Sequence, residues 1–198
     1  MKWPGSRLES LNCDRWFGVA LLCCLALLAA LASGGPPLTA MLRYERNPIA
    51  AGEWWRLVTG HWVHLGARHL LADGVGLILL WVLYARELRP GGWLLVLACS
   101  TAAIDAGLWW GQPRVEWYAG ISGLLHGAWA AGAAVAAFKG ERSGWVMLAV
   151  LGLKLAIEHF TAGSLFVRGF PVVPVAHLYG ALGALLAVAA LALRRKPL

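Results

Sequence analysis

Charged side chains are scarce in this 198-residue chain, at 14% against 60% hydrophobic residues, which excludes an ordinary soluble domain. Acidic groups are the scarcer kind: 10 Asp and Glu against 17 Lys and Arg give a net charge of +7. The basic residues form no continuous face. They fall between apolar runs and at the two ends, so they read as a membrane-topology signal, and no nucleic-acid partner is expected. Only four cysteines are present (Cys13, Cys23, Cys24 and Cys99) and none lies in a Cys-x-x-Cys pair, so neither a disulfide framework nor a thiolate metal site is indicated. His-Glu-x-x-His is missing, which argues against a zinc intramembrane protease. His-x-x-His at His61 and His64 is the weak remainder of a metal or haem reading that also takes in His69, His126 and His177. No metal and no cofactor are expected. Internal repeat symmetry is also missing, which argues against the proton-coupled transporter that Asp73, Lys154 and Glu158 could otherwise suggest.

What the chain has is a series of apolar runs. They predict an all-α membrane protein with six spans, at about 16–32, 69–84, 93–109, 121–138, 145–160 and 172–193, the second and fifth having the weakest signals. The 24 glycines and 9 prolines suit that class. The first run follows Lys2, Arg7 and Arg15 and reads as a retained helix; Ala30-Leu31-Ala32 leaves a cleaved signal peptide as the alternative, with the downstream orientation unchanged. A long connection, 33–68, contains Gly34-Gly35-Pro36-Pro37, Asn47-Pro48 and the pair Trp54, Trp55, and reads as a segment lying in the membrane interface.

Lys and Arg residues set the orientation. With the N-terminus inside, ten fall on inner segments and six on outer ones, four of those six in the long first loop, so both termini are expected in the cytoplasm. Spans two, four and six then run from outside to inside, and their N-terminal ends share one depth. Those ends carry His64, His69 and Asp73, then Ser122 and His126, then His177. Polar groups are costly at such depths, so their gathering on three spans is a functional signal. Gly123-Leu-Leu-His-Gly127 and the series Ala176, Gly180, Ala184 are small-residue faces that let spans four and six approach closely. Close approach is what a serine hydroxyl needs to hydrogen-bond an imidazole.

The motifs Gly120-Ile121-Ser122-Gly123, Ala176-His177 with Gly180, Glu53-Trp54-Trp55-Arg56 and His64…His69…Asp73 resemble those of the rhomboid family of intramembrane serine proteases. Ser122-Gly-Leu-Leu-His126-Gly127, Lys154-Leu-Ala-Ile-Glu158 and Ala176-His-Leu-Tyr-Gly-Ala181 look more closely like its rhombosortase branch. The resemblance covers about residues 50–190 and implies a single rhomboid-like membrane domain over 1–198. It further implies Ser122 as nucleophile and His177 as general base in a dyad, with His69 and backbone N–H groups around Gly120 and Gly123 at the oxyanion. His126, one turn beyond Ser122, either shapes the site or is satisfied by a helix carbonyl.

The family's asparagine position holds Asp73 here. An ionised aspartate cannot donate to an oxyanion. Asp73 is therefore protonated, or pairs with a histidine such as His69, or is dispensable beside His69 and the backbone. Lys154 and Glu158, four apart, are expected to brace the bundle. Asp105 is expected to reach the interface, and Arg56 with Glu53 to brace the first loop. The implied function is processing of exported proteins that end in Gly-Gly, one transmembrane helix and a basic tail, at the outer side of a bacterial inner membrane. The partners are then membrane-anchored protein substrates and the lipid bilayer. A rhomboid-like protein that binds transmembrane helices without cutting them is the alternative.

Overall fold

The computed structural model describes residues 11–161 and 172–194. Lys2, Arg7, Arg168, Arg195 and Lys196, which entered the orientation argument, lie outside the described residues, as do the two ends of the chain. Nine helices and one two-stranded ribbon are described: α1 (Arg15–Ser33), α2 (Gly35–Leu42), β1 (Tyr44–Glu45), α3 (Arg46–Ala50), α4 (Arg56–Thr59), α5 (Ala67–Tyr84), α6 (Pro90–Ala106, continued by a π-helical turn Gly107–Gly111), β2 (Trp117–Tyr118), α7 (Ser122–Phe138), α8 (Arg142–Thr161) and α9 (Pro174–Arg194). Pro90 and Pro174 stand at the first position of their helices, where a missing N–H costs nothing.

Among the described residues five helices are long and apolar enough to cross a membrane: α1, α5, α6 with its π turn, α8 and α9. The other expected span is α7, apolar but of 17 residues, or about 25 Å at 1.5 Å per residue, short of the roughly 30 Å hydrocarbon core. By length and composition five spans are assigned among the described residues, and α7 stands as a shorter apolar helix at the place of the fourth expected span.

The shortness of α7 goes with its place. It is packed by α5, α6, α8 and α9, and nearly every residue from Gly123 to Ala137 is buried. A helix enclosed on all sides needs small side chains everywhere, and alanine and glycine dominate this one. Around it the outer faces of α1, α5 and α8 expose Leu22, Leu71, Val75, Leu79, Val150 and Leu153, as suits contact with lipid.

The long first connection folds into α2, β1, α3 and α4. Arg56 is buried at its centre, donating to Glu53 Oε2 at 2.6 Å and to the carbonyls of Ala40 and Arg43 at 2.8 and 3.0 Å. Trp54 and Trp55 stay exposed. The antiparallel pairing of β1 with β2 sets Tyr44 opposite Tyr118. Gly120 N–H also donates to the Gly60 carbonyl at 3.1 Å, so this connection fixes the backbone that leads into α7. At the opposite end of the bundle Lys139 pairs with Glu87, and Arg86 with Asp14.

Candidate active site

Ser122 is the first residue of α7, and the turn before it is shaped by Gly120, whose φ is +122°. That conformation favours glycine. Space demands it as well: an added Cβ at Gly120 stands 2.6 Å from Cε1 and Nε2 of His69. Tyr118, buried by this turn, donates its hydroxyl proton to the Gly120 carbonyl at 2.8 Å. Burial raises its phenol well above the ordinary range, so it remains a neutral donor.

α7 and α9 cross at backbone contact. A Cβ on Gly180 meets the Gly123 carbonyl oxygen at 2.1 Å, and one on Gly127 meets Ser100 Oγ at 2.4 Å and the Gly180 oxygen at 2.9 Å. Ser100, absent from the sequence reading, seals the crossing from α6 by donating to the Gly180 carbonyl at 3.0 Å. This contact brings His177 Nε2 to 3.0 Å from Ser122 Oγ.

The other ring nitrogen of His177 has a partner that the sequence reading did not place there. Nδ1 lies 2.9 Å from Glu158 Oε2, while Glu158 Oε1 lies 2.6 Å from Lys154 Nζ. Lys154 and Glu158 do pair within α8, as expected. In addition their carboxylate reaches α9. The missed signal is direction: α8 runs opposite to α7 and α9, so its C-terminal end shares their N-terminal depth. On α6, Asp105 pairs with His61 of the first connection at 3.2 Å, a partner the sequence reading did not name.

His126 Nδ1–H donates to the carbonyl of Ser122, one turn back in its own helix, at 2.7 Å. Its ring stacks on that of His177 with centroids 4.0 Å apart and planes within 11°. His126 thus has two neighbours at the site, the Ser122 carbonyl of its own helix and the ring of His177. Asp73 lies 3.1 Å from His64 Nε2 and 3.3 Å from His69 Nε2, both through Oδ2, an arrangement of aspartate paired with histidines. The ring of His64 also meets that of His69 edge-on, with centroids 5.0 Å apart. The Leu65 N–H approaches His69 Nδ1 at a long 3.4 Å, which directs the His69 Nε2–H toward Asp73. The first N–H groups of α7, beside Ser122, have no acceptor within their own helix, and a helix N-terminus is the kind of place that stabilises an anion.

His126, Glu158 and His177 also place possible metal-ligand atoms within 4.8 Å of one another. Parallel stacked imidazoles direct their lone pairs side by side instead of at a common point, and Glu158 is taken up by Lys154 and His177. The cluster does not fit a metal.

Ser122 and His177 open onto an apolar cleft of about 690 Å³. One wall is α5, from His69 through Val75 and Leu79 to Leu83, and Met147 and Lys154 of α8 stand on the other side.

Residues 51–194 match the family model described as Rhomboid domain. The chain is also 34% identical over 79 residues to "Putative rhomboid protease YdcA" of Bacillus subtilis (strain 168). That stretch covers 40% of this chain and 40% of that protein.

Proposed function

Because this chain belongs to the rhomboid family and is a multi-pass membrane protein, we propose that it is an intramembrane serine endopeptidase with Ser122 as nucleophile and His177 as general base. The observation that carries this reading is the 3.0 Å separation of Ser122 Oγ and His177 Nε2 at the mouth of an apolar cleft. Ser122 Oγ bonds to the carbonyl carbon of the scissile peptide as its proton passes to His177 Nε2. The oxyanion meets N–H groups at the start of α7, and loss of one such donor costs about 10²–10³-fold in rate. The imidazolium then gives its proton to the departing amine. Water, activated by the same nitrogen, cleaves the acyl-enzyme ester and restores Ser122.

We assign the chain to the rhombosortase branch on the segments Ser122–Gly127, Lys154–Glu158 and Ala176–Ala181. Its substrates are then exported proteins carrying a Gly-Gly segment, a transmembrane helix and a basic tail, cut at the outer side of a bacterial inner membrane. A Gly pair suits such a site. A helix hides its peptide bonds, and each glycine lowers the cost of unwinding by about 1 kcal/mol relative to alanine. The cleft between α5 and α8 gives a membrane-embedded helix sideways access to Ser122.

The test is labelling of the detergent-purified protein by a fluorophosphonate probe. Wild type labels, and both Ser122→Ala and His177→Ala abolish it. A folded wild type that stays unlabelled overturns the assignment and leaves a protein that binds membrane helices without cutting them.

A further inference from the structure

Glu158 stands in the last turns of α8 and is 1% exposed. A pair that only braced α8 would need Glu158 and Lys154 alone. Here the carboxylate divides its oxygens, Oε1 to Lys154 at 2.6 Å and Oε2 to His177 Nδ1 at 2.9 Å on another helix. A carboxylate only accepts hydrogen bonds, so the proton of the neutral imidazole sits on Nδ1. Nε2 then presents its lone pair to the Ser122 hydroxyl, as proton abstraction requires. The other tautomer sets a lone pair against the carboxylate. Lys154, one turn away, neutralises a charge that apolar surroundings would otherwise disfavour. The His126 ring lies flat on His177 and is itself held by the Ser122 carbonyl. His177 is thus fixed at one edge by Glu158 and on one face by His126.

Resting on the serine-protease reading above, we propose that Glu158 is a positioning residue that sets the tautomer and aim of His177, with Lys154 holding its carboxylate ionised and in place. During attack the Ser122 O–H bond breaks, the bond from Oγ to the carbonyl carbon forms, and the proton moves to His177 Nε2. The Nδ1 proton stays on the ring and Glu158 stays ionised, facing the imidazolium. The proton then leaves from Nε2 to the amine. The site is a Ser–His–Glu relay of positions in place of a dyad.

The experiment measures fluorophosphonate labelling rates of the full chain in detergent and, in parallel, the downfield proton NMR signal of a carboxylate-bound imidazole N–H. Glu158→Gln keeps the shape, but its amide can donate to Nδ1 and stabilise the unproductive tautomer; labelling falls about 10²–10⁴-fold, in line with loss of the acid from serine triads. Glu158→Asp recovers part of the rate. In a His177→Ala background Glu158→Gln changes nothing further. The downfield signal is present in wild type and Ser122→Ala and vanishes in Glu158→Gln and His177→Ala. The double variant Lys154→Met/Glu158→Gln leaves no unpaired buried charge, so it folds, and it shows the same loss. Labelling by either Gln variant at the wild-type rate, or a downfield signal that survives Glu158→Gln, overturns the proposal. An unlabelled wild type defeats the protease reading instead, and the NMR signal still decides whether Glu158 holds His177.

Discussion

A single atom decides much at Gly120. An added Cβ there meets both a left-handed backbone at φ +122° and the His69 ring at 2.6 Å. Gly140 offers the control, since its φ is +87° but nothing lies within 4 Å of an added Cβ. Gly140→Ala therefore carries the backbone strain alone, about 1–2 kcal/mol, and leaves fluorophosphonate labelling unchanged. Gly120→Ala lowers thermal stability further and depresses labelling, because His69 and the lead-in to Ser122 must move apart. Equal labelling in the two variants sinks that account. Gly120, Ser122 and His177 were legible in the sequence because residue type and spacing announce them. Rotation about a helix axis was not. The partner of Asp105, His61, was not foreseen, and Asp73 was left with three alternatives that turn on its proton and its partners.

Between elements the decisive contact is the crossing of α7 and α9. Gly123 and Gly180 touch through backbone, so the nearest atom to an added Cβ on Gly180 cannot rotate away. Gly180→Ala must part the helices, and Ser122 and His177 lie beside the contact on each. The expected outcome is a loss of about 1–3 kcal/mol of stability from overpacking, with a matching fall in labelling. Gly152→Ala on α8, with nothing within 4 Å of its Cβ, leaves labelling unchanged, and thermal melts with probe labelling of both variants check the contrast. The small-residue faces behind this crossing were legible as four-residue repeats. Glu158 was not read into the site, because only outward-starting spans were compared for depth and α8 runs the other way. Nor were β1 and β2 foreseen: two-residue strands carry no alternation, and their partners lie more than seventy residues apart in sequence.

At the scale of the whole molecule the chain is asymmetric. Its buried histidines and carboxylates gather toward one end of the bundle, while Arg86, Arg89 and Lys139 mark the other. The cleft links these levels, because its α5 wall from His69 to Leu83 extends roughly 21 Å at 1.5 Å per residue, a large part of the bilayer's hydrocarbon depth. A small probe arriving from the histidine-bearing end of the bundle needs only the region around Ser122. A membrane-anchored substrate needs the length of the cleft as well. Leu79→Trp places a bulky ring in that wall, well along α5 from His69. Probe labelling should then hold near the wild-type rate while cleavage of a Gly-Gly-anchored transmembrane reporter drops, and Leu79→Ala should leave both intact. Measured together in liposomes, a parallel fall in both activities for Leu79→Trp means that the ring has disturbed Ser122 itself. Unchanged cleavage means that substrates enter by another route, and the lateral path between α5 and α8 has then to be abandoned even if the chemistry at Ser122 stands.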